Sequence, residues 1–407
     1  MQKKKKKNQK NIYKMLILTM IICIIVLVIE FIYIGYTYRD KPIYFDGINA
    51  LISTNKGYVT VGSNNNNESY LEKAKITKYN SKKEKVFEKI YNKGLNGVFF
   101  DIVEDIDGNL IAVGSYESSD KDHLEGNRVG LIVKYDKDGN LVYENSYSIL
   151  DNSKFTSVYS YEDYYFVTGQ SVYSDMKVGV STDGGALLLC YDKELNLIWS
   201  KNYGDNKTSS YNDLVIYDEH IYAVGSNNST SSVITKYDLN GKLINSVIYD
   251  DTDSLGFTGV INKGRYLIVS GSKHEKDSDN YDALIVRYNK NLEFREEVIH
   301  EGDFSERYNQ LILDKNENVV VVGTSRRLDD NEENVNVYIH DGIIGKYDKD
   351  LKKVTVVSYG DDRDDYLTDI IEDGNSYLVV GYSSYEDGSY LSKFITYSDA
   401  LKALGVE

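Results

Sequence analysis

The chain has 407 residues, of which 41% are hydrophobic, with one proline and 31 glycines. This composition excludes a wholly disordered chain and a collagen-like or proline-rich one. The net charge is −16, and because residues 1–41 hold nine Lys and Arg against two acids, the rest of the chain is more acidic still. An acidic body repels phosphate backbones, so we expect no nucleic-acid partner.

The chain begins with a basic tail at residues 1–14, followed by an apolar segment at residues 15–36 whose one charge is Glu30. A helix of this length spans roughly 33 Å, so we predict a transmembrane helix, followed by a short linker at residues 37–40. The lysines before the segment predict a single-pass cell-membrane protein with a cytoplasmic N-terminus and an extracytoplasmic C-terminal part. A cleaved signal peptide is the alternative, but it needs small residues where the chain has Phe31–Tyr33.

Two short phrases recur seven times between residues 41 and 407. The first is an apolar run that ends in glycine, at Gly62, Gly114, Gly169, Gly225, Gly271, Gly323 and Gly381. The second is an apolar run that ends in tyrosine, at Tyr79, Tyr135, Tyr191, Tyr237, Tyr288, Tyr347 and Tyr397. Seven paired matches indicate a repeat protein.

Each repeat divides into four short β-rich runs separated by turn residues. In the second repeat these runs are Phe99–Glu104, Asn109–Ser115, Gly130–Asp136 and Leu141–Tyr147. We therefore predict an all-β fold: a seven-bladed β-propeller of four-stranded blades over residues 41–407, preceded by the transmembrane helix. The last repeat lacks a complete fourth strand, and residues 41–45 are predicted to supply it and close the last blade.

The spacing of the two phrases separates constant from variable segments. Each Tyr is followed by the next Gly after 34 or 35 residues, whereas each Gly precedes its own Tyr by 12 to 24 residues. The variation therefore lies in the connection between the second and third strands of a repeat. In a propeller these connections share one face with the crossings between blades, and variable loops on a constant frame predict a recognition surface. Neutral drift in tolerated loops explains the variation equally well.

The repeats resemble those of bacterial exported β-propeller proteins of the delta-60 and quinoprotein-like kind. Asp107–Asn109 followed by Leu110–Ser115, and later Lys134–Gly139, match the repeat unit, and Leu197–Trp199 supplies its Trp ending once. The resemblance implies an exported propeller, and such propellers serve many roles. Quinoprotein dehydrogenases generally have eight blades docked by Trp, so a chain with seven repeats and one Trp gives little support to a quinone cofactor.

The candidate ligand-binding residues form a column that lies 12 or 13 residues before each glycine. Its polar members are Asp101, Ser157, Asp213, Gln310 and Asp369, and the other two positions are Ala50 and Gly259. A mostly aromatic column lies two residues earlier. We predict that the polar members ring the mouth of the central channel, where three acids could bind a cation or raise one another's pKa. The alternative is that each Asp caps a strand backbone locally.

No catalytic set is recognisable in the remaining residues. Cys23 and Cys190 lie far apart, and the five histidines lack the spacing of metal ligands, so we predict no catalytic residue, no metal and no cofactor. The predicted function is a membrane-anchored extracytoplasmic scaffold, with a monomeric ectodomain, that binds a protein or a cell-envelope polymer. The alternative is a hydrolase or lyase that acts on polysaccharide with acids at the channel mouth.

Overall fold

The computed structural model describes residues 47–65, 72–118, 128–148, 152–175, 180–204, 209–228, 230–249, 255–274, 280–302, 305–328, 338–360, 363–384 and 390–398. The predicted tail, transmembrane helix and linker at residues 1–40, and the predicted closing strand at residues 41–45, lie outside these ranges. Within the ranges, no helix has the length and apolar character that a bilayer crossing requires.

The described residues form 27 strands, which we number in chain order. Sheets 1 to 3 contain β1 (Ile48–Thr54), β2 (Gly57–Asn65), β3 (Glu72–Tyr79), β4 (Lys85–Ile90); β5 (Leu95–Glu104), β6 (Leu110–Glu117), β7 (Arg128–Tyr135), β8 (Leu141–Tyr147); β9 (Asn152–Tyr161), β10 (Tyr164–Asp175), β11 (Val180–Asp192) and β12 (Leu197–Tyr203). Sheets 4 and 5 contain β13 (Ser210–Tyr217), β14 (His220–Asn227), β15 (Ser231–Asp238), β16 (Leu243–Tyr249); β17 (Gly259–Lys263), β18 (Tyr266–His274), β19 (Tyr281–Asn289) and β20 (Phe294–His300). Sheets 6 and 7 contain β21 (Glu306–Leu313), β22 (Val319–Leu328), β23 (Tyr338–Tyr347), β24 (Lys353–Tyr359); β25 (Asp364–Asp373), β26 (Ser376–Ser384) and β27 (Tyr390–Ser398).

The fold is an all-β propeller, but the prediction of seven four-stranded blades is wrong. Sheets 1 to 6 are four-stranded antiparallel blades, whereas sheet 7 has three strands, β25 to β27, within the described residues. The sequence pattern repeats seven times, yet the last repeat ends before a complete fourth strand. The segment predicted to replace that strand, residues 41–45, lies outside the described part of the chain.

The hydrophobic core lies between neighbouring sheets and includes the junction of the last sheet with the first. Strands 2 and 3 of each repeat are almost wholly buried, because both of their faces pack against adjacent sheets. At the closing junction, Ile48, Leu51 and Tyr58 of sheet 1 pack with Leu378 and Val380 of sheet 7. The innermost strands β1, β5, β9, β13, β17, β21 and β25 therefore surround a central channel.

The hairpin turns explain the Asp-x-x-Gly spacing. The carboxylate of Asp136 accepts hydrogen bonds from the N–H groups of Asp138 (2.9 Å) and Asn140 (2.8 Å). Gly139 takes a φ of 81°, which glycine adopts without the steric cost of a side chain. Where leucine occupies the equivalent position, as Leu195 does with a φ of 63°, its side chain is buried in the core. Burial of the leucine offsets the backbone strain.

The glycine that ends the first phrase is required by the close approach of the innermost strand. A Cβ atom on Gly114 would lie 1.9 Å from the carbonyl oxygen of Val98. The equivalent contacts, at 1.8 to 2.1 Å, occur at Gly62, Gly169, Gly225, Gly323 and Gly381. Beside Gly114, the strand register shifts between Phe99 and Asp101, which marks a β-bulge. The repeated glycine is therefore a packing residue.

The lysine in the second phrase joins neighbouring sheets at the hairpin end of the channel. Lys134 is buried and contacts the carbonyl oxygen of Lys193 (3.1 Å), the hydroxyl of Tyr165 (2.7 Å) and a carboxylate oxygen of Asp105 (3.2 Å). Cys190 replaces this lysine in sheet 3. Two other lysines that donate to a turn carbonyl of the next sheet are Lys78 and Lys236.

Candidate functional site

The three aspartates of the predicted site lie in the innermost strands of sheets 2, 4 and 7, directly after the bulge. Each carboxylate joins two innermost strands. One oxygen of Asp369 accepts a hydrogen bond from the N–H of Ile370 (2.8 Å), and the other accepts one from the N–H of Leu51 (2.7 Å) in sheet 1. The corresponding donors are Ile102 (2.7 Å) and Val158 (2.8 Å) for Asp101, and Leu214 (2.8 Å) and Val260 (2.8 Å) for Asp213.

The two remaining polar residues of the column make different contacts. The hydroxyl of Ser157 lies 2.7 Å from Oδ2 of Asp101 and 2.9 Å from Oδ1 of Asp213, so it connects sheets 2, 3 and 4. Gln310 accepts a hydrogen bond from the N–H of Leu311 at 2.9 Å through its side-chain carbonyl. The structure thus brings Asp101, Ser157 and Asp213 into direct contact, and the listed bond of Gln310 stays within its own strand.

Burial raises the pKa of all three aspartates. For Asp213 the pKa rises to about 7, with a further contribution from the negative charge of Asp101. For Asp369 it rises to about 8, with contributions from the charges of Asp101 and Asp213. The N–H donors act in the opposite direction, because they favour the ionised form. Since the charge of Asp101 acts on both other carboxylates, the three face one channel and do not all ionise together near neutral pH.

A second ring of bonds connects the innermost strands through the bulge residue. The side chain of Asn49 donates to the carbonyl oxygen of Phe99 in the next sheet at 2.8 Å. Equivalent bonds of 2.7 to 3.1 Å start at Thr156, Asn212, Thr258, Asn309 and Thr368. Phe100, at this position in sheet 2, carries no donor. The sequence analysis missed this ring, although a signal exists: Asn or Thr precedes six of the seven column positions.

The aromatic column is part of the core. The side chains of Phe99, Phe155, Tyr211, Phe257 and Tyr308 are completely buried. The hydroxyls of Tyr211 and Tyr308 contact those of Tyr237 and Tyr347, each at 2.7 Å. These rings therefore pack the sheets together and offer no stacking surface at the channel.

We find no arrangement for a metal ion in the part of the chain that the structure describes: no three His, Cys, Asp or Glu side chains there are grouped as ligands. Asp136, which opens a segment similar to the start of a calcium loop, uses its carboxylate in a hairpin turn. The contacts of the three channel aspartates match local capping extended across the sheet junction, the alternative that the sequence left open. Their contacts with ligands remain a prediction.

No family model matches the chain, and no curated protein matches it. Among solved structures, Sqt1 from Chaetomium thermophilum is similar at 11% identity over 88% of this chain and 99% of that chain, with a TM-score of 0.49. The β-propeller domain of the Trilobed protease from Pyrococcus furiosus, described as an open velcro topology, is similar at 11% identity over 86% and 94%, with a TM-score of 0.46. A protein of unknown function from Dyadobacter fermentans is similar at 9% identity over 88% and 98%, with a TM-score of 0.48. At these identities the likeness concerns the fold alone.

Proposed function

We propose that this propeller is a binding scaffold whose face at the crossing end of the channel recognises a protein or a cell-envelope polymer. The innermost strands begin at this end, and the connections between the second and third strands emerge there. The observation that carries the proposal is the contrast in spacing: these connections vary in length by a factor of two, whereas the frame between them is constant. Variable loops on a rigid ring are a common basis for recognition.

The contacts of the channel aspartates favour a scaffold over a polysaccharide hydrolase or lyase. An acid–base pair needs carboxylate oxygens that reach the substrate. In Asp101, Asp213 and Asp369, every carboxylate oxygen accepts a main-chain N–H, and each residue thereby joins two sheets. A substrate would have to displace bonds that close the ring. We therefore assign these residues to the frame.

The proposed location is the outer side of a membrane, with the chain anchored through residues 15–36. The support comes from the sequence: an apolar segment of sufficient length, preceded by lysines and followed by few basic residues. An extracytoplasmic scaffold without a disulfide framework fits a chain whose stability comes from a large β-sheet core. Protease treatment of intact cells tests the location, because an extracytoplasmic propeller becomes accessible while the N-terminal tail stays protected.

The experiment that tests the scaffold proposal compares the two ends of the propeller. A photo-crosslinking amino acid at Leu255, which is 41% exposed in the crossing before sheet 5, should capture a specific partner in cells. The matched control is Ile106, which is 87% exposed in a hairpin turn at the opposite end. Capture from Leu255 alone supports the proposal. Capture from Ile106 alone, equal capture from both positions, or no capture from either would contradict it.

A further inference from the structure

A third ring of residues surrounds the channel at its crossing end, one residue before the aromatic column. Its members are Gly47, Val98, Lys154, Ser210, Gly256, Arg307 and Tyr366. Two members are charged, and both are basic. Lys154 lies in β9 three residues before Ser157, so this ring is offset from the carboxylates by about 10 Å along the channel.

Lys154 and Arg307 are half-buried, and neither has a counter-ion. No hydrogen bond or ion pair of either side chain exists within the ranges that the structure describes, and the Nε atom of Arg307 is buried without a partner there. The nearby Arg128 provides a contrast, because it contacts the hydroxyl of Ser115 (3.3 Å) and the carboxylate of Glu117 (3.7 Å). Partly buried cations are normally paired, since removal from water is costly.

The two cations share the central channel. Lys154 belongs to sheet 3 and Arg307 to sheet 6, and these sheets are not neighbours. Burial lowers the pKa of Lys154, and the positive charges of Arg128 and Arg307 lower it further. Burial also lowers the pKa of Arg307. Because side chains of sheets 3 and 6 meet only across the channel, their mutual effect places both charges at its mouth.

We propose that Lys154 and Arg307 bind an oxyanion, the carboxylate or phosphate group of a ligand, between them at the crossing-end mouth of the channel. The Arg guanidinium offers a planar fork for two oxygens, and the Lys ammonium supplies a compact charge from the other side. The ring leaves space for the anion, because three of its other members are Gly47, Ser210 and Gly256.

An adjoining cavity has room for the rest of such a ligand. It has a volume of about 270 Å³ and is lined by Asn49, Val98, Phe100, Arg128 and Tyr382, among others. Arg128 belongs both to this cavity and to the surroundings of Lys154. Phe100 is the bulge residue that lacks a bond to the next sheet, so the one gap in the second ring of bonds lies beside the cavity. This site is independent of the proposed scaffold role, because a partner captured at Leu255 leaves the channel untested.

The test measures the thermal unfolding of the full-length chain, in a neutral detergent, against increasing inorganic phosphate or acetate, with sodium chloride as the control at equal ionic strength. We expect one of the two oxyanions to raise the unfolding temperature in a saturable manner that chloride does not reproduce. The arm that responds distinguishes phosphate from carboxylate recognition. A response no larger than that to chloride in both arms would overturn the proposal.

Three variants assign the response to the two cations. Lys154→Met and Arg307→Met should each weaken the apparent affinity at least tenfold, whereas Lys137→Met, at an exposed lysine of a hairpin turn, should leave it unchanged. Lys154→Arg retains the charge and should retain saturable binding, which guards against a loss caused by misfolding. Unchanged affinity in both methionine variants, or an equal loss in Lys137→Met, would contradict the assignment.

Discussion

Two charged rings line the same channel, and they differ in how the chain treats them. The carboxylates of Asp101, Asp213 and Asp369 accept main-chain hydrogen bonds from two sheets each. The cations of Lys154 and Arg307 have no partner within the described residues. The comparison teaches that the position of a charge in a channel does not identify a binding site. A charge satisfied by the chain itself belongs to the frame, whereas an unsatisfied one is available to a ligand.

The largest effect is expected where an aspartate closes the ring. Asp369→Ala removes the acceptor of Ile370 in sheet 7 and of Leu51 in sheet 1, leaving two partly buried N–H groups unpaired. The free energy of unfolding should fall by about 3 kcal/mol. Urea denaturation followed by circular dichroism measures it. Asp107→Ala, at an exposed turn carboxylate, is the control and should change the value by less than about 0.5 kcal/mol. An equal loss in both variants would place Asp369 outside the frame.

The next effect is a dependence of stability on pH. An unfolded chain loses the Asp369 proton near pH 4, whereas in the folded chain the pKa of Asp369 is about 8. Between these values the folded state holds a proton that the unfolded state lacks, so the free energy of unfolding falls as pH rises. We expect a fall of about 2 kcal/mol between pH 5 and pH 8 from this group, measured by urea denaturation at both values.

The Asp369→Asn variant isolates this contribution from those of other titrating groups. The amide keeps one acceptor oxygen and cannot ionise, so the variant should be less stable than the wild type at pH 5. Its stability should nevertheless change less between pH 5 and pH 8. A pH dependence as steep as that of the wild type would show that Asp369 does not hold a proton in the folded state.

The smallest frame effect is expected in the second ring of bonds. Asn49→Ala removes one bond of 2.8 Å to the carbonyl oxygen of Phe99, and the same contacts persist at five other junctions. The free energy of unfolding should fall by about 1 kcal/mol. Guanidinium denaturation of the variant beside the wild type checks this value. A loss as large as that of Asp369→Ala would mean that the bulge residues, rather than the carboxylates, dominate the ring.

The sequence predicted the frame well because its constraints are local and repeated. The bulge keeps each column position at a constant distance from the glycine, so counting back from Gly114 or Gly225 found Asp101 and Asp213. The partners of these residues were out of reach, since Val158 lies 57 residues from Asp101 and Leu51 lies 318 residues from Asp369. The number of four-stranded blades was overestimated because seven repeats do not ensure seven complete sheets.

The cation pair left no signal in the sequence. Lys154 and Arg307 occupy a column of otherwise small, apolar or aromatic residues, so the repeats give no reason to single them out. Their relation depends on the closure of the ring, which brings sheets 3 and 6 to opposite sides of one channel. A property of the closed ring is not a property of any repeat.

The most direct test of the distinction between frame and site is the free energy of unfolding of two variants, Asp213→Ala and Lys154→Met, at pH 7 without phosphate or carboxylate buffers. The account predicts that Asp213→Ala loses about 3 kcal/mol, because the N–H groups of Leu214 and Val260 lose their acceptor. Lys154→Met should lose nothing and gain up to about 1 kcal/mol, because it removes an unpaired charge. Comparable losses in both variants would contradict the account.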